Sequence, residues 1–124
     1  MENENNQLQI VTFEQAIRLK KLGFDWPCCD VYSYGNLCNS FCGNHNDWDE
    51  DDLESAPTVA LALKWCRDVK RIVSHVGNML GYYGAYKKFG DMVETWIETT
   101  VFDSYEAAES ALLDELLNII ENQP

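Results

Sequence analysis

The sequence predicts an α+β fold in which an antiparallel sheet of about four to five strands is covered by three helices, in the order α-β-β-α-β-β-(β)-α. Three observations carry that expectation. Amphipathic helical stripes with capping residues occur near both ends and in the middle of the chain. Segments rich in β-branched and aromatic residues lie between them. Those segments are joined by short Gly- and Asn-bearing turns, which favours antiparallel pairing over a doubly wound parallel sheet.

The first helix is expected over 12–22. Thr12 and Gln15 have the spacing of a capping box, and FEQAIRLKKLG places Phe13, Ala16, Ile17 and Lys20 on one side, with Leu19 and Leu22 widening the stripe. Gly23 is the expected C-terminal stop, with Phe24 folding back on the last turn. A hairpin is expected from DVYSY (30–34) and LCNSF (37–41), turning at Gly35-Asn36. Residues 43–56 hold six acids and no base, a loop composition. Pro57 opens a second helix over 57–71, capped by Ser55 or Thr58, with Val59, Ala62, Cys66 and Val69 on one face and Leu61 and Trp65 beside it. Strands are expected over 72–76, 81–88 and 92–102, the last alternating Val93, Thr95, Ile97, Thr99 and Val101 with polar or aromatic neighbours. Asp103 or Ser104 caps the final helix, Glu106 being a box partner for Asp103, and its stripe runs through Tyr105, Ala108, Leu112, Leu116 and Ile119, broadened by Leu113, Leu117 and Ile120.

With 124 residues, 46% of them hydrophobic and 24% charged, the chain is long enough to bury a core as a single domain over 8–121, with 1–7 and 122–124 frayed. The start, MENENNQLQI, has no basic segment followed by an apolar run, and no stretch approaches the roughly 20 apolar residues of a membrane helix. A cytoplasmic location is therefore expected, in which the five cysteines stay reduced. The net charge of -12 argues against direct nucleic-acid binding and against docking on an anionic membrane, since both draw on clustered Lys and Arg. The nine basic residues occur only within 18–21, 64–71 and 87–88, and the stripe Lys64, Arg67, Arg71 is expected to form ion pairs or sit in water.

The stretches TFEQAIRLKKLGFDWPC (12–28), APTVALALKWCRDVK (56–70) and FDSYEAAESALLDELLNII (102–120) together resemble a group of small uncharacterised proteins of gut Bacteroides and their phages. The likeness lies in an A-P-T helix carrying a Trp and in an S-Y-E-x-A terminal helix. It implies a shared fold and a phage or mobile-element setting, with no activity and no catalytic residue attached. The matching positions Phe13, Leu22, Pro57, Trp65, Tyr105, Ala108 and Leu112 are of cap- and core-building types.

Chemistry is concentrated in PCCDVYSYGNLCNSFCGNH (27–45), which holds four cysteines and a histidine. Cys38, Cys42 and His45 with Cys28 or Cys29 would make a Cys3His zinc set, but only half of it has knuckle spacing, so a plain hairpin carrying thiols is preferred and no metal or other cofactor is expected. The acid run from Asp47 lacks the Gly and Glu that a calcium-binding loop needs at its sixth and twelfth positions, where Asp52 and Thr58 stand. Ser74 and His75 are strand neighbours that point to opposite faces, and Gly81-Tyr82-Tyr83-Gly84 has no phosphate-loop lysine. No catalytic residue is assigned. The expected function is a non-enzymatic protein-interaction module contacting an unknown protein partner through Trp48, Asp49, Asp51 and Asp52, joined by Tyr82, Tyr83 and Tyr86. The alternatives are an acidic DNA-mimic inhibitor of a DNA-binding protein and a zinc-stabilised small domain.

Overall fold

A computed structural model of the chain describes residues 8–44, 46, 52–88 and 96–123, with the side chains of 40–42 excluded. The chain divides into two compact units, Met1–Leu61 and Ala62–Pro124.

In the first unit, α1 (Phe13–Lys21) starts at the predicted capping box. The Gln15 amide donates to Thr12 Oγ1 at 3.1 Å, and the Thr12 amide donates to Gln15 Oε1 at 2.9 Å. The helix ends as predicted. Gly23 takes φ +95°, its N–H reaches Lys20 O at 3.1 Å, and the Phe24 N–H reaches Leu19 O at 2.9 Å, so Phe24 turns back and is buried. Strands β1 (Cys28–Ser33) and β2 (Asn36–Gly43) form the hairpin. Its turn is Tyr34-Gly35 rather than Gly35-Asn36, because both of those residues take positive φ, +51° and +80°, as a two-residue primed turn requires.

The acidic 43–56 segment is not all loop, since β3 (Leu53–Ser55) pairs antiparallel with β1, Tyr32 facing Glu54, and completes a three-stranded sheet in the order β2-β1-β3. Its hydrogen bonds come from a distant partner, so three residues with no strand pattern of their own are held extended. The segment is anchored further by Asn46, whose Oδ1 accepts from the Ser55 amide at 2.9 Å and whose Nδ2 donates to Phe24 O at 2.9 Å. Residues 9–11 lie along 57–59 through Val11 N–H to Pro57 O and Val59 N–H to Gln9 O.

Helix α2 (Val59–Asp68) is capped by Thr58, whose hydroxyl accepts from the Leu61 amide at 3.1 Å. It stops three residues short of the expected Arg71, which has φ +65° and cannot continue a right-handed helix. Val59, Ala62, Trp65 and Cys66 are buried, while Val69 is not.

The second unit holds β4 (Ile72–Asn78), β5 (Tyr82–Lys88) and β6 (Ile97–Glu98) in a separate antiparallel sheet of that order, with α3 (Tyr105–Glu121) packed on β4 and β5. Two small sheets thus replace the single larger one that was expected. The long strand expected over 92–102 is reduced to β6 and a bridge between Tyr82 and Phe102, while 92–95 lie outside the described residues. Ser104, not Asp103, caps α3 by accepting from the Ala107 amide at 3.1 Å, so Glu106 does not close a box. Ala108, Leu112, Leu113, Leu116, Leu117 and Ile120 are buried as the stripe predicts, each large side chain contributing about 1.5–3 kcal/mol. Gly84 lets the helix approach the sheet: a Cβ there would lie 2.9 Å from Leu112 Cβ.

Candidate functional site

Strands β4 and β5 are joined by only Met79, Leu80 and Gly81, with Asn78 opposite Tyr82 at the last register position. The loop is closed by the Met79 N–H donating to Gly81 O at 2.8 Å, with Leu80 at φ +57° and Gly81 at φ +130°. A large aliphatic residue in the left-handed region costs roughly 1–2 kcal/mol. Here it also stands in water, because Leu80 is fully exposed and Met79 is 72% exposed.

The tip continues into a wider apolar surface. Residues 99–102 run beside the start of β5, with Tyr82 and Phe102 exchanging backbone hydrogen bonds at 2.9 and 2.7 Å and the Thr99 amide donating to Gly84 O at 2.8 Å. That places Val101 against the loop, so closely that a Cβ on Gly81 would overlap Val101 Cγ1. Val101 is exposed, and Tyr105, at the start of α3, is exposed with its ring edge-on to Tyr82 at 6.1 Å. Met79, Leu80, Val101, Tyr82 and Tyr105 therefore share one end of this unit. Acids flank it in sequence at Glu98, Asp103 and Glu106, all exposed. Burial, and then the carboxylates of Glu109 and Glu106, raise the Tyr105 phenol above its ordinary value.

No protein-family model, curated protein or solved structure matches the chain.

Tyr82 belongs to the tip. Tyr83 lies across the sheet over Gly77, where a Cβ would be 2.5 Å from its ring, so this tyrosine fills the space of a missing side chain. Tyr86 is buried, its hydroxyl 3.4 Å from Glu115 Oε2, and presents no surface to a partner. Asp52 is exposed and its carbonyl accepts from the Tyr34 amide at 3.1 Å. Trp48, Asp49 and Asp51 lie outside the described residues, as does His45, and nothing is described of the Cys42 side chain.

The remaining cysteines do not converge. Cys29 is disulfide-bonded, against the expectation of reduced thiols, and so is no longer available as a thiolate ligand. Cys28 faces Gly43 at one end of the hairpin and Cys38 faces Val31, roughly 10 Å along the strand, whereas sulfurs on one zinc ion each sit about 2.3 Å from it. Burial pushes the Cys28 thiol up, partly offset by hydrogen bonds from Ser55 and the Ala56 backbone. Cys66 is buried and its thiol is pushed up to about 12, which makes it inert at neutral pH. Among the described residues no group of three or more His, Cys, Asp or Glu side chains could hold a metal ion, and no helix is long and apolar enough to cross a membrane. Lys64 and Arg67 pair with Asp68 at 2.6 and 3.0 Å, as expected of the basic stripe, and hold its carboxyl below the usual range.

Met79, Leu80 and Val101 were not anticipated as site residues. The signal was present: N-M-L-G puts two large apolar residues inside a glycine-bounded turn, where polar residues are the rule.

Proposed function

We propose that the chain is a non-enzymatic protein-interaction module that inserts Leu80 and Met79 into an apolar recess of a partner protein whose rim is basic. The observation that carries this reading is the full exposure of Leu80 in a left-handed conformation. Folding gains nothing from an aliphatic side chain that is both strained and solvated, and such a feature is explained by what covers it. The basic rim follows from the exposed acids Glu98, Asp103 and Glu106, which flank Val101 and Tyr105 in sequence, and from the net charge of -12. The resemblance in the three quoted segments supports a phage or mobile-element setting.

The competing reading, a DNA mimic, would act through carboxylates rather than through an apolar tip. The two are separated by capturing proteins from a lysate of the source organism on three baits. These are the parent chain, a Met79→Ser/Leu80→Asn chain, and an Asp49→Asn/Asp51→Asn/Asp52→Asn chain. Asn is chosen at 80 because it tolerates positive φ. The module reading expects a protein held by the parent and by the acid-loop variant, but bound roughly thirtyfold more weakly by the tip variant, as for a hot-spot residue. A DNA-binding protein lost only from the acid-loop variant would establish the mimic instead, and equal capture by all three baits would dismiss both.

A further inference from the structure

A pocket of about 580 Å³ opens on the first unit, within the range of small-molecule sites. Its lining is Phe13, Ile17, Lys20 and Lys21, which recur on one side of α1, and Glu54 from β3. Phe13 is fixed as a wall by its ring contact with Tyr32, centroids 5.4 Å apart, and by lying over Gly35 at the turn of the β1-β2 hairpin.

Glu54 is the unusual member. It is only 6% exposed, and its Oε1 accepts no hydrogen bond and is cut off from solvent. A buried carboxylate is ordinarily paired or hydrogen-bonded. Lys20 lowers the cost through its charge, and its Nζ donates to the carbonyl of Leu53 at 2.7 Å. Lys21 makes no ion pair with a described residue.

The pocket thus combines a buried carboxylate with an unbonded oxygen, an exposed ammonium, and an apolar wall. We infer that it binds a free α-amino acid with an apolar side chain, whose ammonium donates to Glu54 Oε2, whose carboxylate meets Lys21, and whose side chain lies on Phe13 and Ile17. A simple anion would be drawn to the lysines but repelled by Glu54, and a simple amine would leave Lys21 unmatched. This site is separate from the hairpin tip and stands whether or not the tip docks a protein.

Calorimetric titration of the full chain with L-leucine and L-phenylalanine tests it, with N-acetyl-L-phenylalanine and 2-phenylethylamine as partners that lack one charge each. Saturable binding of at least one amino acid is expected at or below about 1 mM. Removal of the ligand's ammonium or of its carboxylate should weaken binding roughly tenfold or more. Glu54→Gln should lose amino-acid binding while unfolding at a higher temperature than the parent, which a merely structural glutamate would not do. Lys21→Ala should weaken L-phenylalanine but leave 2-phenylethylamine unchanged. Absence of heat with both amino acids, equal affinity for the acetylated ligand, or undiminished binding by Glu54→Gln would each overturn the assignment. The ligand series needs no variant and decides the matter even if a substitution prevents folding.

Discussion

At Glu54, burial raises the carboxyl pKa above its ordinary value, Lys20 pulls it back in part, and Asp52 adds to the rise. The consequence for stability has a definite sign. Between the unfolded value near 4.5 and the raised folded value, the native state binds more protons at this site than the unfolded state does, so stability falls as pH rises across that window. Above the window the penalty is fully present; below it the penalty vanishes. Glu54→Gln removes the group, so the variant should exceed the parent in stability at pH 7, and the difference should shrink as pH is lowered through the window. Urea unfolding at a series of pH values measures it, and a difference that grows toward acid would contradict the burial argument. The glutamate's position was readable in the acid run of 47–54, but its burial was not. A run with six carboxylates in eight residues reads as solvated until a partner strand turns one of them inward.

The helices were the most legible elements because their signals are local. The Thr12-Gln15 box, the Gly23-Phe24 stop and the leucine stripe of α3 are each settled within a few residues, and each is found where the sequence places it. The sheets were less legible because strand pairing is decided by distant partners. Leu53-Glu54-Ser55 becomes a strand only through Val31, Tyr32 and Ser33, and of the alternating run's described residues, 96–102, β6 holds two. Packing of α3 on the second sheet leads to a specific expectation at Gly84. A Cβ there meets Leu112 Cβ at 2.9 Å and Leu112 Cδ1 at 3.0 Å, and the Cβ cannot swing aside as a side-chain terminus could. Gly84→Ala should therefore destabilise by about 1–3 kcal/mol, the usual cost of overpacking. Gly43→Ala, where nothing lies within 4 Å, is the matched control and should be neutral or slightly stabilising. Equal effects of the two substitutions in denaturant titrations would mean that the helix does not press on the strand at Gly84.

For the molecule as a whole, charge was the most legible property and assembly the least. One sheet was expected where two form, because hydrophobic alternation says which residues can be strands but not which sheet each joins. The candidate tip escaped notice for a related reason: exposure of Met79 and Leu80 depends on which segments flank the turn, not on the turn itself. Charge leads to the last expectation. Even if each of the nine Lys and Arg residues matched one of the twenty-one acids, twelve carboxylates would remain uncompensated. Their mutual repulsion destabilises the compact state and is screened by salt, whose Debye length falls from about 30 Å at 0.01 M to about 8 Å at 0.15 M. Screening also weakens attractive pairs, but the exposed pairs at Asp68 are of a kind worth little. The thermal midpoint should therefore rise between those two salt concentrations, and the rise should lessen at pH 4, where many of the carboxylates are protonated and repulsion is already relieved. A midpoint that falls with added salt at pH 7 would mean that attractive ion pairs outweigh the net charge in holding the fold.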